Sequence, residues 1–309
     1  MIKPAVLNAA CALACWVSAV SASGQVLIDQ ACAFAGCFSG DGSGFPVVID
    51  GSAGTSYVLA SDLIAPNRDT TLIQVNADAI SIDLNGFALR GPNRCTAPPM
   101  TCSDLGSGVG INQPVATITG PHVRNGTVFG MGNRCIRAGR NARLQDLHVE
   151  HCGDAGIVFG TGSQISRVGV SRSGNSGIQV SGVGDAVITD VRVNENNLNG
   201  INAGSGSLVS RVVAADNSND GIVAFQGSSV IDSVAFSNDA DGIETSNRVL
   251  VRGNAVSANT GVGLRLGDDT AFRENVVTSN TGGTVVLNAG GGAFVNLGNN
   301  SCNGTATCP

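Results

Sequence analysis

The sequence predicts an all-β fold: a right-handed, single-stranded parallel β-helix, a solenoid built from coils of about 21 residues. Three observations lead there. A Gly-Ile pair recurs at Gly156, Gly177, Gly200, Gly221 and Gly242, with Gly263-Leu264 as a variant, at gaps of 21, 23, 21, 21 and 21 residues. The stretches between them ("LQDLHVEHC", "ISRVGVSRS", "ITDVRVNEN", "VSRVVAADN") alternate apolar and polar residues with period two, and Val and Ile dominate them. Asn196, Asn217, Asn238, Asn259 and Asn280 lie 21 residues apart.

Each coil adds one strand to a parallel stack and advances it by about 4.8 Å, so roughly eleven coils between Tyr57 and Leu297 give an axis near 50 Å. Parallel crossovers favour the right-handed coil. Asparagine tolerates left-handed backbone, and stacked amides bond one another, so the five asparagines predict an internal ladder. A row of amides that binds glycan is the functional alternative. Asn175 sits two residues from its glycine rather than four and is left out.

The elements follow in chain order. Residues 1–24 read as a secretory signal: Lys3 is the charged start, "AVLNAACALACWVSAV" the apolar stretch, and "SASG" the cleavage region. No other apolar run is long enough to span a bilayer. Residues 25–309 are expected to form one domain, with 25–56 as an N-terminal cap and 298–309 as a disulfide-tied C-terminal cap that cover the open sheet edges. Eight of the ten cysteines follow the leader, an even number in an exported chain. Cys32 and Cys37, Cys95 and Cys102, and Cys302 and Cys308 read as close disulfide pairs; Cys135 and Cys152 remain. With three histidines and no CxxC spacing, zinc is not expected.

Composition narrows the partners. There are 43 glycines but no three-residue period, which excludes collagen, and 42 % apolar residues exclude a disordered chain. The net charge of −6 argues against nucleic acid. A secreted or periplasmic monomer is expected.

"SYVLASDLIAP", "ISIDLNGFALRGP" and "VRNGTVFGMG", with the cysteine-bounded insertion "CTAPPMTC", resemble the first coils of secreted right-handed parallel β-helix proteins. "VRGNAVSANTGVGL" and "FRENVVTSNTGG" resemble the repeat of the pectin-lyase-like superfold, over about residues 45–300. That superfold hosts lyases, polygalacturonases, pectin esterases, uronan epimerases and non-catalytic adhesins, so the resemblance implies a fold and no single activity. The polygalacturonase signatures and the Asp-Pro-His motif of uronan epimerases are absent. "GDD" at Gly267–Asp269 copies one fragment of the former without its partners.

In "RLQDLHVEH", alternation places Leu147 and Val149 inward and Asp146, His148 and Glu150 outward. Aligning Leu147, Val168 and Val191 stacks Asp146 beside Arg167 and Asp190, and leads from His148 through Gly169 to Arg192. Ser233, Ala235, Ser237 and Ala255 are expected on the same face in later coils. These six charged residues (Asp146, His148, Glu150, Arg167, Asp190 and Arg192) are the candidate catalytic group: arginine would neutralise a uronate carboxylate and His148 would move the proton. A solvated charged face is the competing reading. Calcium is weighed at Asp239, Asp241, Asp268 and Asp269, and no other cofactor is expected. Glu244 and Arg265 stack and read as a surface ion pair; Phe159 and Phe225 read as core; His122 and His151 read as turn or surface histidines. The mature chain keeps one tyrosine and no tryptophan, so an acidic polysaccharide held by arginine fits better than a neutral one. The functional expectation is an exported protein that binds or modifies such a glycan, lyase- or epimerase-like; the alternative is an adhesin-like structural solenoid.

Overall fold

The computed structural model describes residues 24–51, 55–96, 100–114, 117–182, 184–287, 292–305 and 308. The expected leader, Gly24 apart, lies outside them. The chain forms a right-handed parallel β-solenoid of about eleven coils, with one short helix among the described residues, Gln30–Ala35. Among the described residues, the strands form an 18-stranded sheet, an 11-stranded sheet and a two-stranded one. All the pairing in the two large sheets is parallel; the two-stranded sheet is the antiparallel Cys95–Thr96/Thr101–Cys102 pair of the insertion.

From the middle of the chain onward each coil turns at three corners, and at each a single residue takes left-handed backbone. The first corner falls at Asn141, Gly162, Asp185, Gly206, Gly227, Arg248 and Asp269. The second falls at Asn125, Asp146, Arg167, Asp190, Arg211, Asp232, Gly253 and Glu274, and the third at His151, Arg172, Glu195, Asp216, Ser237, Ala258 and Ser279. The 11-stranded sheet lies between the third and first corners and contains Ile157–Phe159, Ile178–Val180, Ile201–Ala203 and Ile222–Ala224. The larger sheet lies between the first and third corners and bends at the second. In the middle coils it runs through that bend as eight-residue strands such as Arg143–Glu150 and Gln164–Ser171.

The residue after each of these corners points inward, and many of the polar ones link coils. After the third corner stand Asn196, Asn217, Asn238, Asn259 and Asn280, the expected ladder. Each Nδ2 donates to the next Oδ1, at 2.9 Å from Asn196 to Asn217, 2.9 Å to Asn238, 2.8 Å to Asn259 and 2.7 Å to Asn280. After the second corner a further ladder, Asn254, Asn275 and Asn300, joins by 3.0 Å bonds. After the first, the hydroxyls of Ser163, Ser207, Ser228 and Thr270 accept backbone N–H groups of the coil before. These side chains satisfy buried backbone donors that the corners would otherwise orphan.

The glycine of each Gly-Ile pair has a steric cause. A Cβ at Gly200 would lie 2.6 Å from the Gly221 carbonyl oxygen, and one at Gly221 would lie 2.7 Å from that of Gly242. The isoleucines that follow (Ile157, Ile178, Ile201, Ile222, Ile243) stack in register and are fully buried, each worth about 1.5–3 kcal/mol of apolar transfer.

At the N-terminus, Gln25–Ile28 already pairs with Ser56–Leu59, and Cys32, Cys37 and Phe38 pack on the core. At the other end, Ser301–Cys302 pairs with Val276–Thr278. The three close cysteine pairs are disulfides, and Cys135 bonds Cys152 across adjacent coils. Among the described residues, no helix is long and apolar enough to cross a membrane.

Candidate functional site

The expected register holds: Leu147 pairs with Val168 and Val168 with Val191, and His148 leads through Gly169 to Arg192. The shared face divides, however, because Asp146, Arg167 and Asp190 are second-corner residues. A left-handed residue interrupts the period-two alternation, so Leu144 and Leu147, three residues apart, both point inward.

The corner residues form a vertical charge ladder. Arg167 Nε and Nη2 donate to Asp146 Oδ1 and Oδ2 at 2.6 and 2.8 Å; Arg211 does the same to Asp190 at 2.6 and 2.9 Å. The hydrogen bonds from Arg167 hold the Asp146 carboxyl below the usual range, and those from Arg211 do so for Asp190. Bidentate pairs of this kind neutralise both partners and engage both oxygens of each carboxylate.

His148, Glu150 and Arg192 lie past the corner. Glu150 accepts from Arg172 Nη1 at 2.8 Å, and His148 Nε2 stands 3.4 Å from its other oxygen. Arg172 also bonds Glu195, at 2.7 Å. Gly169 separates His148 from Arg192, which puts their strands two spacings, about 10 Å, apart. Ser233 and Ala235 do not share this face: both are buried, Ser233 in the rung that accepts the Val212 N–H. The outward row continues instead through Val213, Val234 and Ala255.

His151 is not a plain surface histidine. Its Nδ1 accepts the Cys95 N–H at 2.9 Å, and burial pushes its pKa down, so the ring is a neutral anchor for the insertion. Phe159 is fully buried, as expected, whereas Phe225 is 43 % exposed.

The outer face of the 11-stranded sheet carries a second arrangement. Its outward row runs Arg137, Val158, Gln179, Asn202, Val223, Glu244 and Arg265. At one end is a cleft of about 400 Å³ whose lining includes Gln113, Arg137, Arg140, Thr161 and Ser181. Ten of the sixteen arginines pair with a carboxylate; among the described residues Arg137 and Arg140 do not, and neither do Arg94, Arg143, Arg192 and Arg273. Five spacings away, about 24 Å, lies an acidic group. Asp220, Asp241 and Glu244 bring carboxylate oxygens within 4.8 Å of one another. Burial pushes the Asp220 carboxyl up. Arg265 stacks on Glu244 as expected and feels its charge, and its hydrogen bonds go to Asp241.

Of the four aspartates weighed for calcium, Asp241 alone joins this group; Asp239 and Asp269 are exposed elsewhere. The donor set suits a cation poorly. Asp220 Oδ1 accepts the Asp241 N–H at 2.9 Å, Asp241 Oδ1 accepts the Val262 N–H at 2.6 Å, and the Arg265 guanidinium already neutralises Asp241. These acids form another rung system that ties coil to coil.

Both groups left a trace in the sequence. Asp220 and Asp241 are 21 apart beside the Gly-Ile glycines, and Arg134, Arg137, Arg140 and Arg143 recur every third residue in an acidic chain.

Residues 156–306 match the family model described as the right handed beta helix region. No curated protein sequence matches the chain. The chain is similar to the catalytic unit of a thermostable GH87 α-1,3-glucanase from Streptomyces thermodiastaticus, at 14 % identity and a TM-score of 0.58, over 91 % of this chain and 64 % of that one. It is similar to the pectate lyase Pel9A at 15 % identity and a TM-score of 0.53, over 84 % of this chain and 74 % of that one. The Azotobacter vinelandii mannuronan C-5 epimerase A-module matches at 11 % identity and a TM-score of 0.49, over 91 % of this chain and 93 % of that one. At these identities the likeness is one of fold. Each neighbour is named for action on a polysaccharide.

Proposed function

We propose that the protein is exported and binds an acidic polysaccharide along the outer face of the 11-stranded sheet, with Arg137 and Arg140 as its anchor. One observation carries this reading: two arginines line one cleft without an ion pair among the described residues, in a chain that pairs most of its arginines. Guanidinium groups held open in a concave site suit carboxylate or sulfate oxygens. Structural neighbours of similar fold act on polysaccharides, which favours the same class of ligand. Four disulfides favour an oxidising compartment.

The face around His148 and Arg192 is the alternative surface for the same function, and the two separate experimentally. Retention of the full-length protein on immobilised polygalacturonate and alginate should fall about tenfold or more for Arg137→Ala/Arg140→Ala, since each lost charge-assisted bond is worth roughly 1.5–3 kcal/mol. His148→Ala/Arg192→Ala should bind like wild type. The reverse pattern would move the site to the His148 face, and equal retention of all three would leave the structural solenoid as the better reading.

Modification beyond binding rests on Asp220, a buried carboxyl with a raised pKa on the same face, the profile of a proton donor. Unsaturated-uronide absorbance or altered uronate stereochemistry that disappears in Asp220→Asn would establish it; activity unchanged by that substitution would exclude Asp220.

A further inference from the structure

Beside the Arg137–Arg140 cleft, across the first corner, lies a second one of about 340 Å³, lined by Ala79, Thr119, Gly120, His122, Asn141 and Arg143. Arg140 lines the first cleft and Asn141 the second, so consecutive residues form the wall between them. His122 and Arg143 are register partners on adjacent strands, which puts their backbones one spacing, about 4.8 Å, apart.

Three features set this cleft apart from the rest of the surface. Arg143 is exposed and forms no ion pair among the described residues. His122 Nε2 is buried and has no hydrogen-bond partner there. No carboxylate lines the cleft. Asp78, which touches the lining residue Thr119, is committed: its Oδ1 accepts the Thr119 N–H at 2.6 Å. A basic side chain, a ring nitrogen lacking an acceptor and an absence of competing acid form a constellation that a bound oxyanion completes.

We propose that this cleft is a second oxyanion subsite. It would take a carboxylate or sulfate group of the same glycan chain whose neighbouring residue occupies the Arg137–Arg140 cleft. The Arg143 guanidinium supplies the paired donors, and His122, whose Nε2 is closed off from solvent in this structure, supplies the third once its ring turns into the cleft. This inference rests on the polysaccharide reading above and deepens it. The ligand becomes a polymer with anionic groups on successive sugars, and the binding track turns the corner from one sheet to the other. The clefts carry no aromatic platform, so the charge must provide the recognition that ring stacking gives a neutral sugar.

The test uses the full-length protein and three probes: oligogalacturonate for carboxylate, dextran sulfate for sulfate, and unsubstituted dextran as the uncharged control. Affinities are measured for wild type, Arg143→Ala, His122→Phe and Arg137→Ala, with thermal melts to confirm that each variant is folded. His122→Phe keeps the ring bulk and removes the nitrogen. The proposal expects Arg143→Ala to weaken binding of one anionic probe about tenfold and His122→Phe about threefold or more. The probe with the larger loss assigns the anion. If Arg137→Ala weakens long-chain binding while folded Arg143→Ala and His122→Phe do not, the second subsite is wrong and the first reading stands. If neither anionic probe is retained above dextran by wild type, both fall together.

Discussion

Asp220 shows how a solenoid turns one residue into a strut. Its carboxylate bonds the backbone of the next coil, yet burial raises its pKa, so the ionised form is costly where it sits. For a carboxyl with a raised folded-state pKa, the folded state binds the proton more tightly than the unfolded chain does. Its stabilisation is therefore complete below the ordinary aspartate value, near 3.8, and is lost as pH rises through the raised one. Asparagine keeps the accepting oxygen and carries no charge. Asp220→Asn should then raise the melting temperature at pH 7–8, and the gain should shrink to nothing as the pH approaches 4. A gain that persists or grows on acidification would mean that the carboxylate is not ionised against a penalty. The Asp146–Arg167 and Asp190–Arg211 pairs behave differently: exposed at a corner, each adds little to stability even with bidentate geometry.

At the scale of the element, the coil is a triangle whose corners need left-handed backbone and whose inner post-corner residue carries the link to the next coil. The glycine of Gly-Ile is fixed by neighbouring backbone rather than by its own torsion, since a Cβ at Gly221 meets the Gly242 carbonyl oxygen at 2.7 Å and the Asn238 amide at 2.7 Å. Backbone cannot step aside as a side-chain tip does. Gly221→Ala should cost about 1–3 kcal/mol, typical of overpacking, read as a lower urea midpoint at unchanged slope. Gly227→Ala, at a corner with open space, should act through its positive torsion alone and cost about 1 kcal/mol. Equal costs at the two sites would refute the contact explanation. The same triangle explains what was legible in the sequence. Gly-Ile, alternation and the Asn196–Asn280 ladder repeat with one residue type at one spacing, so they announce themselves. The corners do not, because Asp, Arg, Glu, Ser, Gly and Asn all occupy them, and a corner shifts the phase of the alternation. That shift is why Asp146 and His148 read as neighbours on one flat face and why Ser233 and Ala235 read as exposed. The second ladder was hidden by the 25-residue step from Asn275 to Asn300. The arginines at 137, 140 and 143 were visible as a run, but nothing local tells a paired arginine from an open one; that distinction depends on which carboxylates the neighbouring coils bring alongside.

The whole molecule sets two fields against each other. The net charge is −6, yet three arginines without ion pairs, Arg137, Arg140 and Arg143, face two adjoining clefts. An acidic glycan approaching from a distance meets the net charge and is repelled. Within a few ångströms of the clefts it meets guanidinium groups whose bonds are short and partly shielded from solvent. Salt acts on these two terms unequally. The screening length is about 30 Å at 0.01 M and about 8 Å at 0.15 M, so adding salt over that range removes the long-range repulsion and spares most of the contact attraction. The association rate with polygalacturonate should therefore rise as salt increases from 0.01 to 0.15 M, the opposite of a basic protein steered onto a polyanion. Toward 1 M, where screening reaches about 3 Å, the contact bonds weaken in turn and the dissociation rate should climb. Surface plasmon resonance across this series separates the two arms. Arg137→Ala/Arg140→Ala should keep the low-salt rise in association while losing lifetime, because it removes contacts and makes the net charge more negative. An association rate that falls steadily from 0.01 M upward would show that local positive potential dominates at all distances, and that the acidic remainder of the solenoid lies too far from the clefts to be felt.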